Sequence, residues 1–411
     1  MKGLERNAAL ARRSVILSAV VLAAAWSPSA GSTQQPEPAQ QQARISARWN
    51  TETVGKLIKV IEGAGAEGLD PASYNIDGLR HAAENGEGPA LDTVADAAAF
   101  QLAHDYYFGR VTDRGDMGWM IQRSGDDATQ MMARFQQAIA SGEIRKFYAS
   151  LLPTDPRYIA LRQALADTND PQLRDRLRAN MERWRWMPRA LGDDYLYVNV
   201  PSYQLQVMNG GASIATYDVV VGAPKTKTPM LASPTSSFVV NPWWNVPASI
   251  VKSSNLHRGK AGYVFKASSN GGYAVRQPPG PRNALGKIKF NLANDQAIYL
   301  HDTPAKSAFG RDERALSHGC IRVKNIDQLA AQLMGEGGGD TAQFDEALAG
   351  SSTETLRLPR TWQVYIVYFT LDGSDPSSLD SYSDPYGYDA AILARLDGRS
   401  PGGRGVQVAV R

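Results

Sequence analysis

"DYLYVNVPSYQLQVMNGGASIATYDVVVG", residues 194–222, alternates apolar and polar side chains and breaks twice, at Pro201-Ser202 and at Asn209-Gly210-Gly211. A period of two puts successive side chains on opposite faces of an extended chain. The two breaks supply tight turns, so the stretch predicts three consecutive strands. Shorter runs of the same kind follow: "SSFVVN", "KIKFNL", "AIYLH", "CIRV" and "TWQVYIVYFTLDG". One helix is predicted among them, over residues 325–335 ("NIDQLAAQLMG"). Residues 190–373 therefore read as mainly β.

Upstream the period changes. "TETVGKLIKVIEGAGAEG", "LDTVADAAAFQLAHDYYFG" and "ATQMMARFQQAIASGEIRKFYASL" carry apolar residues three and four apart, and glycines end the runs. This is an α-helical region, from about residue 45 to 175. "DTNDPQLRDRLRANMERWRW" (167–186) reads as a charged helix leading into the β region. The chain has 411 residues, 43% of them hydrophobic and 21% charged. That length and composition predict two domains with ample core material, and they exclude global disorder. The fold class is α+β.

The first thirty residues differ from the rest. Lys2, Arg6, Arg12 and Arg13 precede the apolar run "SVILSAVVLAAAW" (14–26), and "SPSA" follows. That order is the order of a secretory signal peptide over 1–30. The alternative is an uncleaved N-terminal inner-membrane anchor. "STQQPEPAQQQA" (32–43) reads as a flexible linker, residues 31–44. Removing 1–30 takes the net charge from +3 to about 0, so the basic balance belongs to the signal and no basic stripe suggests nucleic acid.

Within the β region, residues 247–286 are rich in glycine, proline and serine. Such a stretch inside a compact domain is usually a lid or binding loop, here a short capping insertion at about 248–282.

The chain holds a single cysteine, Cys320, in "SHGCIRV" (317–323). Exported proteins usually pair their cysteines. A lone one is either a buried core residue or a working thiol. The companion piece is "AIYLHDTP" (297–304). As strands, the first would put Cys320 and Arg322 on one face and the second Tyr299 and His301. If they are neighbours, His301 meets Cys320, and the intervening 18 residues form a loop over the site. A thiol needs a base to become a nucleophile. His301 and His318 both qualify, and proximity alone does not choose between them. Gly319 lets a carbonyl approach the backbone, where the N–H groups of 319 and 320 could hold an oxyanion. Arg322 offers a planar fork suited to a carboxylate, or it pairs with Asp302 or Asp327. A zinc site from His301, His318 and Cys320 would lack a fourth ligand. Taken together, the residues spell acyl transfer on a peptide-like substrate. A papain-like peptidase is disfavoured, because its cysteine precedes its histidine in the chain.

His301 followed by "SHGCIRV" resembles the signature of the L,D-transpeptidases, cysteine enzymes of bacterial wall synthesis. "MERWRWMP", "VNVPSYQLQV", "VVVGAPKTKTP" and "QPPGPRNALGKIKFNLANDQAIYLHDTP" extend the likeness over roughly 180–375. "GLDPASY" (68–74) and "HDYYFGRV" (104–111) resemble the helical scaffold domain of the larger Gram-negative members. The resemblance implies a scaffold domain over 45–175, a catalytic domain over 176–375 and a C-terminal extension over 376–411. It also implies a periplasmic enzyme in which Cys320 attacks the third residue, meso-diaminopimelate, of a tetrapeptide stem. D-alanine leaves, a thioester forms, and the diaminopimelate amine of an acceptor stem resolves it into a 3→3 cross-link. His301 is then the base, oriented by the carbonyl of Asp302. Ser317, His318, Tyr299, Asn283 and Arg322 bind substrate, with Gly319 beside the nucleophile. No metal and no cofactor are expected. Carbapenems are the expected inhibitors, and other wall-synthesis proteins the expected partners. The alternatives are an L,D-carboxypeptidase that trims tetrapeptide stems, with water resolving the thioester, and a non-catalytic peptidoglycan-binding protein. Larger members carry a separate peptidoglycan-binding module before the "RWRW" helix; here only "ADTNDPQLRDR" occupies that place.

Overall fold

A computed structural model describes residues 49–123, 128–267 and 272–398. The signal and linker expected over 1–44, and the end of the C-terminal extension from 399, lie outside the described residues.

Among the described residues seven α-helices come first: α1 (Thr51–Glu62), α2 (Ile76–Glu84), α3 (Pro89–Phe108), α4 (Ala128–Ser141), α5 (Ile144–Ala149), α6 (Pro156–Asp167) and α7 (Pro171–Trp186). Their ends follow local chemistry. The Asn50 side chain accepts from the Thr53 N–H and Thr53 answers with its hydroxyl, closing a capping box on α1. Asp155-Pro156 and Asp170-Pro171 start α6 and α7, each aspartate capping a proline-led first turn.

The β region supplies β1 (Tyr195–Asn199), β2 (Gln204–Asn209), β3 (Ala212–Gly222), β4 (Leu231–Val240), β5 (Trp244–Asn245), a short helix α8 (Ala248–Ser253), β6 (Val264–Ala267), β7 (Tyr273–Gln277), β8 (Ile288–Phe290), β9 (Leu300–His301), β10 (Ala315–Ser317) and β11 (Ile321–Val323). After them come α9 (Ile326–Gly335), α10 (Thr341–Ala349), β12 (Glu354–Val367), β13 (Leu371–Asp372), β14 (Asp380–Ser381) and α11 (Tyr388–Leu396). The main sheet runs β10-β3-β11-β9-β8-β4-β12-β1-β2. Because β2 also pairs with β3, the sheet closes on itself.

Three expectations change. The boundary at 175/176 falls inside α7, which is one helix from Pro171 to Trp186. Its charged-looking end is core: Arg183, Trp184, Arg185 and Trp186 are buried. Arg183 pairs with Asp389 of α11 at 2.6 Å, Arg185 with Glu182 at 2.8 Å, and Trp184 stacks on Phe369. The helices and the sheet thus share one hydrophobic core, running from Trp49 to Leu396. The extension from 376 is part of that core through Tyr386, Tyr388 and Ile392. Finally, the capping insertion is more than a loop. β5, β7 and β6 form their own antiparallel sheet, which packs Trp244, Val246, Val275 and Leu285 into a small second core.

Candidate active site

Two adjacent strands carry the site. β9 and β11 run parallel, with Leu300 opposite Ile321 and His301 opposite Arg322. Ile321 and Leu300 point into the core, fully buried. The strand period therefore turns Cys320, Arg322, Tyr299 and His301 the other way. All four line one cleft of about 900 Å³. β8 flanks β9 in antiparallel register and sets Lys289 opposite His301, so Lys289 lines the same cleft. The cap roofs it with Trp243, Trp244, Ile250 and Tyr263. The 18-residue connection between the strands does not cover the cleft, as the sequence reading had it. Its Ala308 and Phe309 pack against Val220, and only Ser317 and His318 reach the opening.

Cys320 is half-buried and free. Its thiol donates toward the Ala297 carbonyl at 3.5 Å. Burial pushes the thiol pKa up, against hydrogen bonding from Tyr299 and the nearby Lys289 and Arg322 cations. His301 is 6% exposed, and its Nδ1 meets the Asp302 carbonyl oxygen. A carbonyl only accepts, so Nδ1 carries the proton and Nε2 keeps its lone pair. Burial, then the positive charge of Arg322 and Lys289, pushes the imidazole down to about 3, against the pull of Asp302. The resting pair is therefore a neutral thiol and a neutral imidazole. Arg322 has no carboxylate partner among the described residues. Its Nε is buried without a hydrogen bond, leaving the guanidinium unsatisfied beside the sulfur.

The backbone around the thiol is fixed from behind. Gly319 sits at φ +118, a conformation that disfavours any side chain. Its carbonyl accepts from Thr228 Oγ1 at 2.7 Å, and the Ser317 carbonyl accepts from Thr226 Oγ1 at 2.8 Å. Tyr386 donates to the Gly222 carbonyl and accepts from the Thr228 N–H. The Gly319 N–H already donates to Ser317 Oγ at 3.1 Å, and Ser317 donates on to the Cys320 carbonyl at 2.6 Å. This corrects the expected oxyanion pair: the Cys320 N–H remains as the donor beside the sulfur.

One more assignment changes. Asn283 is 1% exposed and does not line the cleft. Its amide donates to the Pro242 and Pro278 carbonyls and its oxygen accepts from the Leu285 N–H, so it ties the cap's return strand together. The Asp302 carboxylate faces away, toward the Lys287 N–H and Lys306 Nζ. His318 is exposed at the cleft mouth. Sequence reasoning missed Lys289, Trp243, Trp244, Thr228 and Tyr386. The alternation of "KIKF" carried a signal for Lys289, since Ile288 and Phe290 are core residues on the opposite face.

Residues 193–361 match the family pattern described as the L,D-transpeptidase catalytic domain, and residues 42–165 match the one described as the scaffold domain. The two matches give this chain a scaffold domain followed by an L,D-transpeptidase catalytic domain. A Haemophilus influenzae relative, whose name assigns it provisionally as an L,D-transpeptidase, is 31% identical over 329 residues. That match covers 72% of this chain and 66% of the relative's length. Among solved structures, the Enterococcus faecium L,D-transpeptidase catalytic domain acylated by ertapenem is similar at 16% identity, over 33% of this chain and 85% of that one, with a TM-score of 0.19. L,D-transpeptidase 3 from Mycobacterium tuberculosis, in complex with a faropenem-derived adduct, is similar at 14% identity over 43% and 60%, with a TM-score of 0.23.

Proposed function

We propose that this protein is a periplasmic peptidoglycan L,D-transpeptidase that forms 3→3 cross-links through a thioester on Cys320. What carries the reading is the shared cleft: the chain's one thiol, an imidazole whose Nδ1–H is tied to a carbonyl, and an unpaired guanidinium on two adjacent strands.

In this reading Arg322 holds a donor carboxylate, and the stem lies with the carbonyl of its third residue against the sulfur. His301 Nε2 accepts the thiol proton as sulfur adds to the carbonyl carbon, and the Cys320 N–H faces the developing oxyanion. The tetrahedral centre collapses, the bond to D-alanine breaks, and the imidazolium returns its proton to the leaving amine. The diaminopimelate amine of a second stem then attacks the thioester and gives its proton to His301, which reprotonates the departing sulfur. With the imidazole held down at about 3, proton transfer accompanies attack and needs no resting thiolate–imidazolium pair.

Incubating the protein with tetrapeptide-rich sacculi and separating the muropeptides tests this. 3→3 cross-linked dimers are expected. Tripeptides alone would make it an L,D-carboxypeptidase, and unaltered stems a binding protein.

A further inference from the structure

Between Asp218 and Asp295 the chain carries no acidic residue at all. The cap falls inside this interval. Its Lys252, Arg258, Lys260, Lys266, Arg276 and Arg282 are all exposed, and none forms an ion pair with a carboxylate among the described residues. Outside this interval acids are interspersed and some cations pair with them, as Lys56 does with Glu52 and Lys324 with Asp218. The net charge of +3 is small, so this one-signed face is local rather than a reflection of the whole.

The same face exposes large apolar groups. Val264, Tyr273 and Trp243 are 47%, 50% and 37% exposed. Arg276 lies over the Trp243 ring at 4.6 Å, and Arg258 over the Tyr273 ring at 5.8 Å. Flat rings flanked by guanidinium groups suit a ligand with apolar sugar faces and repeated carboxylates. Trp243 also lines the cleft, so the face runs on into the site of chemistry.

We infer that the outer face of the cap is the docking surface for a carboxylate-bearing glycan strand, and that it holds the polymer while one stem enters the cleft. The inference rests on the proposed function for the identity of the strand. It gives this chain a grip on the wall beside the cleft.

The test uses the full chain with R258E/K260E/K266E, three residues that do not line the cleft, and with the corresponding glutamine triple. Three readouts are compared: retention on isolated sacculi across a salt series, retention on phosphatidylglycerol vesicles, and turnover of a soluble tetrapeptide fragment. The expected result is sacculus retention that falls about tenfold at low salt in the glutamate triple and less in the glutamine triple, with a shallower salt dependence in both. Fragment turnover should stay at the wild-type rate. Unchanged retention on sacculi would overturn the inference, as would wild-type retention on vesicles but not on sacculi. If sacculi are held through the cap but no stem is ever turned over, the docking surface stands and the enzymatic reading fails.

Discussion

At the residue scale the two titrating groups of the cleft are pushed apart in one consistent direction. Burial raises the thiol of Cys320 and lowers the imidazole of His301 to about 3. Between that value and the ordinary histidine range the ring stays neutral, so no imidazolium is present to stabilise a thiolate. Alkylation of Cys320 by iodoacetamide should therefore be slow at pH 6 to 7. It should then rise about tenfold per pH unit to beyond the ordinary cysteine range of about 8.5. A rate flat from pH 5 to 8 would mean a preformed ion pair and would contradict this electrostatics. The two histidines should also separate in turnover assays. His301 is buried and oriented by a carbonyl, whereas His318 is exposed at the rim. His301→Ala is expected to cut kcat by about 100-fold or more, and His318→Ala by less than about tenfold. Equal losses would leave His301 without its role.

At the element scale, the strand holding His301 is anchored from its far side. Gly286 sits at φ +60, and a Cβ built there would lie 2.2 Å from Asp302 Oδ2. Gly286→Ala should displace the Asp302 carboxylate from the Lys287 N–H and move the carbonyl that orients the imidazole. The expected outcome is a kcat reduced by about tenfold or more with the fold intact by circular dichroism, since small misplacements of a catalytic group are costly. Wild-type kcat would show that this anchor does not matter. Much of this level was legible in the sequence. The period of two gave β1, β2 and β3, and the alternation in "AIYLH" and "CIRV" gave the shared face of Tyr299, His301, Cys320 and Arg322. The parallel pairing of β9 with β11, and the antiparallel approach of β8, depend on the path of the whole sheet. No local period records that path, so Lys289 went unseen. The cap's fold was hidden for a related reason. Its strands are two to five residues long, too short for a pattern, and among the described residues they are held by a core of four buried side chains.

At the scale of the whole molecule, the helices and the sheet are joined through charges buried in α7. The sequence "MERWRW" reads only as the end of a charged helix, because nothing local says which acid will reach it. The partner of Arg183 is Asp389, 206 residues away. Asp389→Ala would leave a guanidinium that is 1% exposed without its carboxylate, and the expected cost is about 3–5 kcal/mol, read as a lower midpoint in urea. An unchanged midpoint would show that α11 does not brace the fold. The central claim is that the single cysteine is a cleft-facing nucleophile rather than a core residue, and it is tested on the intact chain. Mass spectrometry after incubation with meropenem should find one stoichiometric adduct, mapped to Cys320 and absent from Cys320→Ala. A chain that stays at its unmodified mass after prolonged exposure, or an adduct on another residue, would contradict the account.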